Sequence, residues 1–191
     1  VSSAQVSPSV AGSESVTRIL DEAVELINAH GLAGFSMRAL AKALGQQPGA
    51  LYWHIRDKQT LLAAVAQRLL ASIPHDPEES LLDVVTAFRV QLRELTDGAE
   101  IVLSSIAMGF NLDQLHARFV AAAERDGREL NEARTLATTL VHHCLGHVMH
   151  EQQCAQTRRL GLHQGAGDSA SVAITADDET FQQSVRLICG T

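Results

Sequence analysis

Apolar residues in this chain recur at three- and four-residue steps, the spacing of a helix face, and strand-like alternation is hard to find. Val16, Ile19, Leu20, Ala23 and Ile27 make the first such face, which is predicted to end at Gly31 as a left-handed cap. Ser36 is placed to cap a short second helix with Met37, Leu40, Ala41 and Leu44 inward and Gly45 as its stop. Only Gln46 and Gln47 then precede Pro48, whose fixed φ and missing N–H suit the first turn of a third helix, Pro48 to Ile55. Asp57 caps a longer helix with Leu61, Leu62, Val65 and Leu69 inward, running to Ile73 and stopped by Pro74.

Beyond Pro77, helical periodicity returns over Leu81 to Leu95, Ala99 to Met108, Leu112 to Arg125, Leu130 to Arg159 and Ala176 to Cys189. The predicted fold class is all-α, with an N-terminal three-helix helix-turn-helix module and a larger helical domain behind it. Residues 1–12 are small and polar and are expected to form a disordered leader. The first module is expected over residues 13–60 and the second domain over 61–191. Gly161 to Ser171, rich in Gly, Ser and Ala, reads as a flexible loop before the last helix.

The 191 residues are 46% hydrophobic, enough for a real core, yet every apolar stretch is broken by charge, Pro or Gly before membrane-spanning length. The start of the chain has neither the basic residues nor the apolar run of a signal peptide, so a cytoplasmic protein is expected. Cys144, Cys154 and Cys189 are odd in number, and the first two lie about 15 Å apart on one helix, which argues against a disulfide framework. A net charge of −7 requires any nucleic-acid surface to be a local patch set against acid elsewhere, such as Asp76 to Glu79 and Asp177 to Glu179.

In the third helix, Leu51 and Ile55 are the strongly apolar pair that can anchor inward, leaving Gly49, Ala50, Trp53 and His54 outward. Ser36 to Lys58 reads SMRALAKALGQQPGALYWHIRDK, behind a helix ending in HGLAGF, and LYWHIRDK is its most telling part. This stretch, from about Thr17 to Leu62, resembles the tetracycline-repressor (TetR) family of transcriptional regulators. The resemblance implies a DNA-binding surface of Arg38, Gln47, Pro48, Gly49, Ala50, Tyr52, Trp53, His54 and Lys58. The residue types agree with it. Pro48, Gly49 and Ala50 permit close approach to base edges and thymine methyls, and Tyr52, Trp53 and His54 suit phosphate and groove-wall contacts. Arg38 can grip a guanine edge or a phosphate, and Lys58, at the start of the fourth helix, is expected to position a phosphate. Gln47 is a poor cap, and Gln46 stands where the family usually has an apolar residue.

A fainter likeness continues through AFRVQLRELTDGAEIVL, HHCLGHVMHEQQ and FQQSVRLICG. It implies a ligand-sensing and dimerisation domain, in which the His143 helix and the last helix, with Phe181, Val185 and Ile188 on one face, build a four-helix bundle with their symmetry mates. The family's tetracycline and magnesium ligands do not carry over. Val102 stands where a metal-binding His is expected, Val84 where a drug-binding Asn lies, and His150 replaces an acid, although Phe88 matches a pocket aromatic. A different, more apolar small molecule is expected among Phe88, Val102, Ile106, Phe110, His143 and His147, with no cofactor.

His143, His147, His150 and Cys154 share one helical stripe, so a metal-sensing regulator using His143, His147 and His150 is an alternative, although the sequence holds no second ligand cluster. His150 to Cys154 is one residue short of a zinc-protease H-E-x-x-H pattern, which leaves a zinc-dependent hydrolase only as a near miss and predicts no enzyme. The functional expectation is a repressor that binds a palindromic operator as a homodimer, away from membranes, and is released by a small molecule.

Overall fold

The computed structural model describes residues 10–109, 112–161 and 177–190. Among them lie nine helices and no strand, an all-α fold: α1 (Val10–Gly34), α2 (Met37–Ala43), α3 (Pro48–Leu51), α4 (Lys58–Ala71), α5 (Leu81–Arg93), α6 (Gly98–Ala107), α7 (Asp113–Arg125), α8 (Leu130–Arg159) and α9 (Asp178–Cys189). Residues 10–12, assigned to the leader from composition, form the start of α1. The residues before them, and most of the loop expected from Gly161 to Ser171, lie outside the described residues.

The chain divides into two compact units at Arg68 and Leu69, inside α4, where the sequence reading set the boundary at 60 and 61. In the first unit, Ile19, Ala23 and Ile27 of α1, Leu40 and Ala41 of α2, Leu51 of α3 and Leu61 and Val65 of α4 are buried together. Gly31 does not end α1 with an ordinary left-handed cap. It breaks the helix at φ 70, ψ 170, a conformation open to glycine alone, and a last turn continues to Gly34. Ser36 caps α2 by accepting from Ala39 N at 3.1 Å, and Asp57 caps α4 by accepting from Thr60 N at 2.7 Å.

In the second unit the long α8 packs against α5, α6, α7 and α9. Its core holds Phe88, Leu92, Ile101, Phe119, Leu140, Val148, Phe181 and Val185. Ser80 and Asp83 close a reciprocal capping box at the head of α5. The turn from α5 to α6 is held by one side chain of α8. Gln152 Nε2 donates to Leu92 O (3.2 Å) and Leu95 O (2.7 Å), and its Oε1 accepts from Ala99 N (3.3 Å). Asp97 sits in the left-handed region (φ 57), and a Cβ on neighbouring Gly98 would stand 2.4 Å from Leu92 O, so only glycine fits there. Arg118 of α7 forks onto Glu79 (2.9 and 2.7 Å) and also donates to the carbonyl of Pro74 at 2.6 Å. The Arg118 hydrogen bonds hold the Glu79 carboxyl below its ordinary range against the effect of burial, with His75 adding to the shift.

Phe181 and Val185 of α9, two residues of the face expected in a four-helix bundle, are 1% and 0% exposed within this chain. The stripe packs on the chain's own α8, because an amphipathic helix buries its apolar face against the nearest apolar surface. Leu187 points the other way and is 82% exposed.

Candidate functional site

The third helix is shorter than its periodicity suggests, covering Pro48–Leu51 only. The next residues keep a helical course through turn hydrogen bonds, His54 N to Leu51 O (3.0 Å) and Ile55 N to Leu51 O (2.9 Å). Leu51 and Ile55 are buried, which fixes the opposite face toward solvent. Trp53 is 90% exposed and Tyr52 52%, an unusual cost for large aromatic groups in water. Arg38, Gln47, Pro48, Gly49 and His54 are exposed beside them, and Ala50 is half-buried. Gln47 makes no side-chain cap, as its residue type predicts.

Arg38, Lys42, Gln46, Gln47 and Pro48 line a concavity of about 780 Å³ against α2, together with Ser36 and Ala39. Nothing in the sequence marks Lys42 off from an ordinary helix position. Lys58 is the first residue of α4, where the sequence placed it. Its Nζ donates to Phe35 O at 3.0 Å and lies 5.4 Å from the centre of the Phe35 ring, so its charge is already partnered inside the unit. Asp57 beside it is held at about 2, first by the backbone N–H of Thr60 and then by side-chain hydrogen bonds from Thr60 and Arg56.

The chain's acidity lies elsewhere. Residues 1–68 carry six Lys and Arg (Arg18, Arg38, Lys42, Arg56, Lys58, Arg68) against five Asp and Glu (Glu14, Asp21, Glu22, Glu25, Asp57), while the whole chain is at −7. The first unit is thus the basic end of an acidic molecule.

In the second unit, the candidate ligand residues fall into two groups. Phe88 and Val102 are fully buried, Phe88 standing edge-on to Phe119 with centroids 6.1 Å apart. Ile106 is half-buried, and Phe110 lies outside the described residues. His143 and His147 pack against Phe181 of α9, at 5.7 and 4.9 Å, and His143 Nε2 lies 2.8 Å from Ser184 Oγ. Burial holds both imidazoles below their ordinary range.

Next to them is a buried charge cluster that sequence reading missed, because it joins residues 62 and 89 positions apart. Arg89 is 6% exposed, donates to Glu151 of α8 and to Asp178 of α9 (2.6 Å), and stacks its guanidinium 4.6 Å from the Phe181 ring centre. Burial opposes the Arg89 charge, but the hydrogen bonds to Asp178 and Glu151 outweigh it. Arg89 Nε, His147 Nε2 and Glu151 Oε2 are buried without a hydrogen bond.

Among the described residues no three His, Cys, Asp or Glu side chains converge to hold a metal ion, so the His143, His147, His150 stripe does not assemble a metal site there. The helical repeat aligns these side chains, but His143 and His147 pack on Phe181, and His143 also meets Ser184. Cys144, Cys154 and Cys189 are free thiols, with burial pushing Cys144 and Cys189 up. No described helix is long and apolar enough to cross a membrane.

Comparison with known proteins places this geometry in context. Residues 19–65 match the model of bacterial regulatory proteins of the tetR family. The class D tetracycline repressor protein of Escherichia coli is 30% identical over 143 residues, covering 71% of this chain and 65% of that protein, so the chain spans about two thirds of its length. The crystal structure of Mycobacterium smegmatis BioQ superimposes with a TM-score of 0.76 at 28% identity, over 91% of this chain and 94% of that one. A structure of BioQ with its double-stranded DNA operator is 33% identical with a TM-score of 0.67, over 77% of this chain and 92% of that one. With the helix-turn-helix geometry and these likenesses together, this chain belongs to the tetR family of bacterial regulatory proteins.

Proposed function

We propose that the protein is a ligand-responsive transcriptional repressor that binds a palindromic DNA operator as a homodimer in the cytoplasm and leaves it when a small molecule binds. The observation that carries this reading is the solvent-facing surface of α2 and α3. Trp53 at 90% exposure, Tyr52 at 52% and the small Pro48 and Gly49 stand beside exposed Arg38, while Leu51 and Ile55 hold the element from behind. Large exposed aromatics next to cations and small residues suit a groove wall, phosphates and base edges. Support comes from the BioQ relative crystallised with its operator.

In this reading Arg38 reads a base pair, Pro48, Gly49 and Ala50 approach base edges, and Gln47, Tyr52, Trp53, His54 and Lys58 fix the register on the backbone. The effector is a small, largely apolar molecule bound in the second unit near Phe88, Val102, Ile106, His143 and His147, with buried Arg89 Nε and Glu151 Oε2 offering a donor and an acceptor. A relative named for tetracycline motivates a small-molecule effector. Tetracycline itself is disfavoured, since Val102 and Val84 are apolar and fully buried. Release follows if the effector binds one conformation better and shifts the DNA-binding equilibrium by that difference.

The test is selection of random duplex DNA by the purified protein near physiological salt, followed by sequencing. An enriched palindrome with half-sites about one turn apart is the expected result. Absence of enrichment, also after refolding to strip bound ligand, overturns the reading.

A further inference from the structure

The first unit has six Lys and Arg, and the structure engages four of them. Arg18 donates to Leu44 O (3.4 Å), Arg56 pairs with Asp57 (3.1 Å), Arg68 pairs with Asp21, and Lys58 donates to Phe35 O (3.0 Å). Arg38 and Lys42 are exposed and make neither a hydrogen bond nor an ion pair through their side chains with any described residue. They are four residues apart on α2, hence on one side of it, and both line the concavity of about 780 Å³ with Gln46, Gln47 and Pro48. No acidic side chain lines that concavity.

This arrangement is unfavourable in the free protein. Like charges at i and i+4 repel, and Arg38 in the first turn of α2 opposes the helix dipole. Lys42, in the last turn, is favoured by the same dipole, and the Ser36 cap with buried Met37, Leu40 and Ala41 holds the helix, so the two cations are tolerated without a partner. A polyanion laid along the concavity reverses the sign of both unfavourable terms, because it places negative charge against each cation. Lys and Arg differ in what they can do there. The planar Arg38 fork can read a base edge, whereas the Lys42 ammonium is a point charge on a flexible stem, suited to a phosphate.

We propose that Lys42 is a second DNA contact of α2, seating a backbone phosphate beside the base pair that Arg38 reads. It is a positioning residue that sets affinity and register and leaves base preference alone. The inference rests on the reading of the first unit as a DNA-binding module.

The test uses the full chain and the duplex enriched by selection, with affinity measured between about 50 and 200 mM salt. For Lys42→Gln, the slope of log affinity against log salt is expected to shrink by about 0.9 per lost phosphate contact, or about 1.8 for a dimer on two half-sites. Over that fourfold salt range the variant then loses about 12-fold less affinity than wild type. The ranking of operator variants stays unchanged, Lys42→Arg restores the slope, and thermal unfolding is unaltered because the side chain is exposed. A wild-type slope in Lys42→Gln overturns the proposal, as does a change in base preference or a loss of binding that tracks a lowered melting temperature. Failure of the wild-type protein to enrich any duplex instead overturns the reading beneath it.

Discussion

Lys58 Nζ donates to the main-chain carbonyl of Phe35 at 3.0 Å and so ties the first residue of α4 to the residue just before the Ser36 cap of α2. The same ammonium lies 5.4 Å from the Phe35 ring centre. Phe35 itself is 3% exposed, so this bond is part of how the helix-turn-helix is held, in addition to any contact with DNA.

Lys58→Ala is therefore expected to lower the stability of the first unit by about 1 to 2 kcal/mol, since it removes a charge-assisted bond and leaves a part-buried carbonyl without its donor. Urea unfolding measures this, and Lys58→Arg should recover most of the loss. An unchanged unfolding midpoint in Lys58→Ala would remove the structural role.

Trp53→Ala is expected to behave in the opposite way. At 90% exposure the indole contributes little to the fold, so stability should stay within about 0.5 kcal/mol of wild type. Operator affinity should fall by at least about tenfold, a loss of about 1.4 kcal/mol. Unfolding and DNA binding measured on the same preparation separate the two, and loss of stability without loss of affinity would place Trp53 in the core instead.

Gly98→Ala is expected to cost about 1 to 3 kcal/mol, because the added Cβ would stand 2.4 Å from Leu92 O and backbone has to move. Gly49→Ala meets nothing within 4 Å and should be neutral or slightly stabilising. Thermal melts of the two variants side by side check the contrast.

Stability should fall on mild acidification. His143 and His147 are held below their ordinary range, first by burial, so below about pH 6.5 the unfolded chain binds more protons at these sites than the folded one. Their contribution is complete above pH 6.5 and is lost as pH falls through the folded values. The carboxylates with lowered values, Asp57, Glu79, Asp83, Asp177 and Asp178, act only below about 4.5 and leave this window clear. The denaturation midpoint should be lower at about pH 5.5 than at pH 7.5, and the His143→Gln, His147→Gln double variant should flatten that change. A flat profile in the wild type would count against a buried, neutral pair.

The buried cluster around Arg89 shows where sequence reading stops. His143 and His147 were legible as one stripe of α8, and Phe88 as a core aromatic, because each follows from spacing along one helix. Arg89 was not, since its partners Glu151 and Asp178 come from two other helices and only their packing turns an ordinary helix arginine into a buried one. The same reason explains α9. Its apolar stripe was readable, but which surface the stripe meets is settled by tertiary contact.

What the sequence determined by itself is local in origin. Residues within about a turn of each other cap α2 and α4 at Ser36 and Asp57, and Leu51 and Ile55 turn one face of the third helix inward. These follow from backbone hydrogen-bond needs and helical repeat, so the helix-turn-helix could be drawn before any coordinates. Only the tertiary structure decided that Lys58 answers the Phe35 carbonyl, that Arg38 and Lys42 stay unpaired over one concavity, and that Arg89 is buried between two carboxylates. A charge's partner is set by distances across the fold, and no spacing along the chain encodes those distances.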